Sequence, residues 1–162
     1  MPLVDPAEMK RLLPRGRRLI GLDLGTKTIG TALSDGLLMV ASPLETLKRA
    51  RFSDDWTALL ALIRRHEVGG LVLGLPLNMD GSEGPRVQAT RAFARNVMAQ
   101  MDLPIVLWDE RLSTAAVERG MIEADMSRKR RAQVVDRAAA AYILQGLLDR
   151  LRYLPDMGSP SS

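Results

Sequence analysis

Three carboxylates stand in sequence contexts that favour burial: Asp23, Glu110 and Asp136. Burying an ionised carboxylate costs several kcal/mol unless a cation or hydrogen bonds replace the lost water. Carboxylate oxygens are hard ligands, and Mg²⁺ and Mn²⁺ prefer such ligands. Because a divalent cation would compensate all three charges at once, we predict that these residues form a metal site.

Asp23 and Glu110 are each associated with an apolar segment that is typical of a β-strand. Side chains alternate between the two faces of a strand, so Glu110 should share a face with Val106 and Trp108 while Asp109 points oppositely. Other interpretations remain open. Asp23 could accept backbone N–H bonds from the following turn, Glu110 could be a solvated charge at a strand end, and Asp109 is the rival ligand on its segment.

Asp136 lies on a stripe of helical spacing that should face the sheet. The positions i, i+3, i+4, i+7 and i+11 of this stripe are Asp136, Ala139, Ala140, Ile143 and Leu147. The amino end of a helix favours an acid only modestly, so most of the desolvation cost needs a bound cation. The alternative is a salt bridge from Asp136 to Arg111 or Arg137.

This set of side chains suits two-metal phosphodiester hydrolysis. Two ions about 4 Å apart can activate water and stabilise the leaving oxygen of a phosphodiester. In this hypothesis Asp23 bridges two Mg²⁺ or Mn²⁺ ions, and Glu110 and Asp136 each complete one. The chain has one histidine and no cysteine, which disfavours a zinc site.

The elements that must position these residues follow the order β-β-β-α-β-α-β-α, with one further helix. We predict strands at 18–24, 28–34, 37–47, 71–75 and 104–108. We predict helices beginning after a cap at Ser53 or Asp54, at 85–101, from Ser113 or Thr114 to about Ala124, and at 132–151. A hairpin meander followed by βα units indicates an α/β fold with a mixed five-stranded sheet flanked by helices.

One domain is expected from a chain of 162 residues. Residues 1–16 are polar with three prolines, which predicts a loose, flexible arm with one helical turn. The domain itself should span 17–152. The tail from 153 to 162, with two prolines and terminal serines, is predicted to be disordered.

Composition and charge limit the possible functions. No apolar run approaches the length of about 20 residues that spans a bilayer, and the amino end lacks the apolar region of a secretory signal. We therefore expect a cytoplasmic protein without a membrane partner. The net charge is +4, which permits nucleic-acid binding. Basic residues cluster in the block Arg128, Lys129, Arg130 and Arg131, which we place in a loop at 125–131.

Four motifs resemble the YqgF/RuvX family. They are IGLDLGTKTIG at 20–30, GLPLNMDGSEG at 74–84, WDERLST at 108–114 and VDRAAA at 135–140. The resemblance covers about 17–151, and no motif is visibly broken. It implies an RNase H-like fold. Members are described as Holliday junction resolvases and as nucleases that mature the 5′ end of pre-16S ribosomal RNA.

Position by position, the resemblance implies that Asp23, Glu110 and Asp136 are the catalytic acids, in agreement with the argument from burial. It also places Lys27 and the loop 76–84 near the substrate. Polar groups of that loop are suited to phosphate contacts. The predicted nucleic-acid-binding residues are Lys27, Asn78, Ser82, Arg111, Arg128, Lys129, Arg130 and Arg131.

Several alternatives stay open. The first motif also opens the ATP-binding lobe of sugar kinases, actin and chaperone ATPases, although those proteins need two lobes. A non-catalytic RNA-binding or transcription-associated factor is a third interpretation. The sequence does not choose between pre-ribosomal RNA and a DNA junction as substrate, because the 2′-OH contact leaves no signature. Nor does it choose between a monomer and a homodimer, or establish the ribosome as a partner.

Overall fold

The computed structural model describes residues 3–112 and 128–154, and for 128–137 it describes the backbone alone. The strands are β1 (Arg18–Leu24), β2 (Thr28–Ser34), β3 (Ala41–Lys48), β4 (Val68–Leu75) and β5 (Ile105–Asp109). The helices of the described residues are α1 (Pro6–Leu12), α2 (Phe52–Arg65), α3 (Pro85–Gln100) and α4 (Arg128–Tyr153), and a short 3₁₀ turn spans Glu110–Leu112. Among these helices, none is long and apolar enough to cross a membrane.

The five strands form one mixed sheet in the order β3-β2-β1-β4-β5. β1 pairs with β2, and β2 with β3, in antiparallel orientation. β1, β4 and β5 are parallel neighbours. The sheet confirms the predicted meander with two βα units. We call the side of the sheet where β1, β4 and β5 end the carboxyl edge, because ligands of such sheets bind there.

Apolar side chains cover both faces of the sheet, as the near-continuous apolar strands β1 and β4 require. On one face, Ile20 and Leu22 pack with Leu59 of α2 and Phe93 of α3. The opposite face is covered by α1 and α4, in a cluster listed here by its largest members: Met9, Leu19, Trp108, Ile143, Leu144 and Leu147. β1 therefore alternates between the two cores, and Asp23 has the parity of the face under α4.

α4 runs antiparallel to β1, so its amino end is directed to the carboxyl edge. Near the middle of β1, a Cβ atom added to Gly21 would lie 2.9 Å from the carbonyl oxygen of Ala140. Further along the helix, Gln145 Oε1 accepts the N–H of Ala41 at the far end of the sheet, at 2.9 Å. The predicted buried stripe is confirmed from Ala139 onward, since Ala139, Ala140, Ile143 and Leu147 have at most 1% exposure.

The amino-terminal segment differs from the expected loose arm. Asp5 and Glu8 form a capping box at the start of α1, which satisfies free N–H groups of the first turn. Met9 is completely buried, and the N–H of Val4 donates to the carbonyl oxygen of Ile105 at 3.0 Å. The apolar residues of this otherwise polar segment, including Val4 and Met9, therefore pack it against the edge of β5 and against α4.

Three predicted boundaries were wrong. The cap of α2 is neither Ser53 nor Asp54, since the helix begins at Phe52 after Arg51. β3 begins at Ala41 rather than 37, because Asp35 Oδ1 accepts the N–H groups of Met39 and Val40 and closes a longer loop. The basic block 128–131 is helical and belongs to α4, not to a loop.

β4 is longer than predicted, because Gly69 and Gly70 lie inside the strand rather than before it. The helix expected to end near Ala124 and the tail 155–162 lie outside the described residues.

Candidate active site

Asp23 is a buried carboxylate on the face of β1 that α4 covers, with 2% exposure. Its antiparallel partner on β2 is Gly30. On the other side, the parallel register Leu22↔Leu73, extended by one residue, sets Asp23 beside Gly74. Because neither neighbour carries a side chain, groups from other elements can approach Asp23 over these two positions of the sheet.

Glu110 approaches the same place from β5. The parallel register pairs Gly74 with Trp108, and Glu110 begins the 3₁₀ turn after the strand with 6% exposure. A Cβ atom on Gly74 would lie only 2.7 Å from Glu110 Oε1 and 2.4 Å from Ile143 Cδ1. The carboxylate of Glu110 thus reaches over Gly74 on the face of Asp23, as its predicted parity requires.

Asp136 is the third predicted acid, and its side chain lies outside the described residues. The backbone at this position is part of α4, one turn before Ala140, in the half of the helix that is directed to the carboxyl edge. Among the side chains that the structure describes, no three metal-ligating groups converge. Completion of the site by Asp136 therefore stays a prediction.

Asp109 and Arg111 form a separate ion pair beside this site. Arg111 Nη2 donates to Asp109 Oδ2 at 2.8 Å, and Nε lies 3.1 Å from both carboxylate oxygens. Hydrogen bonds from Arg111 hold the pKa of Asp109 below its usual value, against the opposing effect of burial. Asp109 is therefore committed to Arg111 in this structure, whereas Glu110 faces Gly74.

The loop 76–84 is tied to this pair. Arg111 Nη1 donates to the carbonyl oxygen of Met79 at 3.2 Å. Within the loop, Asn78 Nδ2 donates to Ser82 Oγ at 2.9 Å, and the Ser82 hydroxyl donates to Asp80 at 2.6 Å. Hydrogen bonds from Ser82 lower the pKa of Asp80. Asn78 and Ser82 hold each other, so their polar groups shape an exposed turn as much as they offer phosphate contacts.

The remaining predicted contacts lie around the same edge. Lys27 is exposed in the turn between β1 and β2. The four side chains of the block 128–131 are outside the described residues, but their backbone forms the described start of α4. Two further arginines reach the end of β1: Arg49 from the segment after β3 and Arg86 from α3. Sequence analysis missed both, because only the fold brings them to this turn.

The donor set fits a divalent cation. Asp23 and Glu110 offer hard carboxylate oxygens, and the absence of a side chain at Gly74 lets Glu110 reach the face of Asp23. These residues are therefore able to hold a divalent ion, with Asp136 as the expected further ligand.

A protein-family profile described as "RuvX: Holliday junction resolvase" matches residues 17–150. The chain belongs to this RuvX family. The match covers the whole sheet together with α2, α3 and almost all of α4. It leaves out α1, so the docked amino-terminal segment lies outside the region that defines the RuvX family.

Relatives within the RuvX family are similar over nearly their whole length. A protein of Roseobacter denitrificans is 60% identical over 156 residues, which cover 95% of this chain and 96% of the relative. A protein of Paracoccus denitrificans is 63% identical over 142 residues, covering 88% and 90%. Both bear the name "Putative pre-16S rRNA nuclease". The predicted enzyme class is confirmed: this RuvX-family chain is a nuclease, a hydrolase of phosphodiester bonds.

Two solved structures share the fold. Thermus thermophilus RuvC superposes with a TM-score of 0.52 at 12% identity, covering 84% of this chain and 97% of RuvC. The same RuvC in complex with a Holliday junction substrate gives a TM-score of 0.51 at 13% identity, with 83% and 96% covered. Together with the mixed five-stranded sheet, this likeness confirms the predicted RNase H-like fold.

Proposed function

We propose that this protein cleaves the phosphodiester backbone of pre-16S ribosomal RNA at its 5′ end, using divalent metal held by Asp23, Glu110 and Asp136. The observation that carries the proposal is the convergence of Asp23 and Glu110 beside Gly74. Carboxylate oxygens brought together on one face are the ligands that Mg²⁺ and Mn²⁺ prefer. The names of the relatives support RNA as the substrate.

The residues have distinct tasks in this proposal. Two divalent ions, either Mg²⁺ or Mn²⁺, would supply Lewis acidity to the scissile phosphate and activate water when bound here. Asp23 is buried on β1, the central strand of the sheet, so it fixes the position of the bound ion. Glu110 follows β5, and its carboxylate lies over Gly74, where no side chain displaces it. Arg111, Lys27 and the basic start of α4 bind flanking phosphates of the strand.

Cleavage of a four-way DNA junction is the second candidate, because the matching family is described as a Holliday junction resolvase. Symmetric cutting of two strands would require two copies of the site, and hence a homodimer. Trimming of an RNA end requires only one copy. The ribosome itself is a further proposed partner for the RNA reaction.

The deciding experiment compares both substrates with the full chain. Labelled pre-16S leader RNA and a labelled four-way junction are incubated with Mg²⁺ or Mn²⁺, with EDTA as the metal-free control. We expect metal-dependent cleavage of the RNA alone. Cutting of the junction alone would instead establish the resolvase.

A matched pair of variants tests the role of Asp23. Asp23→Asn should abolish cleavage and retain the far-ultraviolet circular dichroism of the wild type. Asp54→Asn removes an exposed acid that lies 3.7 Å from Arg51 on α2, and it should cleave normally. Wild-type rates with Asp23→Asn would overturn the assignment of the site.

A further inference from the structure

Two arginines converge on the turn that follows β1, although neither belongs to the carboxylate site. Arg49 Nη1 donates to the carbonyl oxygen of Gly25 at 2.8 Å. Arg86, in the first turn of α3, donates from Nη2 to the carbonyl oxygen of Leu24 at 3.4 Å. The two side chains come from positions 37 residues apart in the chain, so this convergence is a product of the fold.

Both guanidinium groups keep most of their hydrogen-bonding capacity. An arginine side chain has five N–H donors, and each of these two uses one of them on a backbone carbonyl. Within the described part of the chain, neither Arg49 nor Arg86 forms an ion pair with a carboxylate. Lys27 is exposed in the same turn. The turn therefore has three positively charged side chains at or around it.

The shape of the site selects the ligand. Arg49 and Arg86 border a depression of about 40 Å³, room for only a few waters at roughly 10–15 Å³ each. Its other lining residues are Leu24, Gly25, Thr26, Ala89 and Thr90. None of the lining residues is aromatic, so a base has no ring to stack on. The depression admits phosphate oxygens from one side and does not enclose a nucleotide.

We infer that Arg49 and Arg86 bind a backbone phosphate of the RNA strand that the carboxylate site cleaves. Planar arginine forks match phosphate oxygens and carry no sequence information. Gly25 is two residues beyond Asp23, a distance of about 7 Å along a strand. A stacked nucleic-acid strand advances about 3.4 Å per nucleotide, so the bound phosphate lies within a few nucleotides of the cleaved bond. This inference rests on the proposed function.

The test measures RNA binding without cleavage. Fluorescence anisotropy of a labelled single-stranded fragment of the pre-16S leader is followed in EDTA across a range of salt concentrations. The double variant Arg49→Gln/Arg86→Gln should bind roughly tenfold more weakly than wild type, as two charge contacts at the protein surface imply. The slope of log affinity against log salt should also fall by about 0.7 per lost contact.

The control is Arg64→Gln, because Arg64 is exposed in the last turn of α2 at the opposite edge of the sheet. It should retain wild-type affinity and slope. If the two arginines only hold the carbonyls at the end of β1, the double variant will lower the unfolding temperature and leave the salt slope unchanged. That result would overturn the inference.

A second probe separates this inference from the proposed function. Inorganic tripolyphosphate in EDTA should raise the unfolding temperature of wild type and of Arg64→Gln, but not of the double variant. If wild type cleaves no RNA and still shows this pattern, the proposed function fails while the phosphate subsite stands. Equal stabilisation of all three proteins would overturn the subsite.

Discussion

Gly74 has no side chain, and Glu110 and Ile143 occupy the space that one would fill. At this position an alanine Cβ would lie 2.4 Å from Ile143 and 2.7 Å from the Glu110 carboxylate. Both distances are shorter than real Cβ contacts. The lack of a side chain at position 74 of β4 therefore allows Glu110 to take its position in the site.

We expect Gly74→Ala to lower both stability and cleavage. Overpacking of this kind costs about 1–3 kcal/mol, and displacement of Glu110 should reduce the cleavage rate further than the loss of folded protein explains. Urea unfolding and cleavage of leader RNA at a temperature where the variant is folded measure the two effects.

Gly36→Ala is the matched control for this change. A Cβ atom at Gly36 would meet only the carbonyl oxygen of Gly16, at an ordinary distance of 3.5 Å. This variant should resemble wild type in both assays. If the Gly74→Ala protein cleaves RNA at the wild-type rate, cleavage does not require Glu110 in the position seen in this structure.

At the scale of elements, α4 connects the two ends of the molecule. Its amino-terminal half is directed to the carboxyl edge and includes Asp136. Near its other end, Lys10 of α1 donates from Nζ to the carbonyl oxygens of Leu151 and Leu154, at 2.9 and 2.6 Å. Carbonyls in the last turn of a helix have spare hydrogen-bonding capacity, although that of Leu151 also accepts the N–H of Leu154. Lys10 therefore adds a donor to this turn and a favourable charge to the helix dipole.

We expect Lys10→Met to lower the free energy of unfolding by about 1 kcal/mol, the usual value of such a hydrogen bond and dipole contact. Urea unfolding measures the change. Lys48→Met, which removes an exposed lysine at the end of β3, should leave stability within the experimental error. Equal stability of the Lys10 variant and wild type would mean that α1 does not anchor α4.

At the scale of the whole molecule, the three predicted ligands come from segments separated by 87 and 26 residues. Only the folded chain brings such positions to one edge, so a divalent ion should bind the native state and not the unfolded state. Binding to the native state alone stabilises a protein by about 2.7 kcal/mol when the ligand is at 100 times its dissociation constant.

Saturating Mn²⁺ should therefore raise the unfolding temperature of the wild-type protein, and EDTA should reverse the effect. Glu110→Gln should lose most of this stabilisation, because it removes a ligand. Asp109→Asn should retain it, since Asp109 is paired with Arg111 rather than directed to the site. Stabilisation lost in Asp109→Asn but kept in Glu110→Gln would reverse the assignment of these two acids.

Local sequence determined the elements that build the site. β1 and β2 have the boundaries that their apolar, β-branched segments predict, because alternation and turn residues act over a few neighbouring positions. The same local reasoning identified Asp23 and Glu110, since a carboxylate within or just after an apolar strand is conspicuous by its desolvation cost.

Tertiary structure alone decided the contacts between distant segments. The docking of α1 depends on Met9 and Lys10 finding partners in β4 and α4. The need for glycine at position 74 appears only when Glu110 and Ile143 are placed over it. Arg49 and Arg86 carry no local signal, because an isolated arginine looks the same on any surface. Sheet pairing and helix packing set these distances, and no short stretch of sequence encodes them.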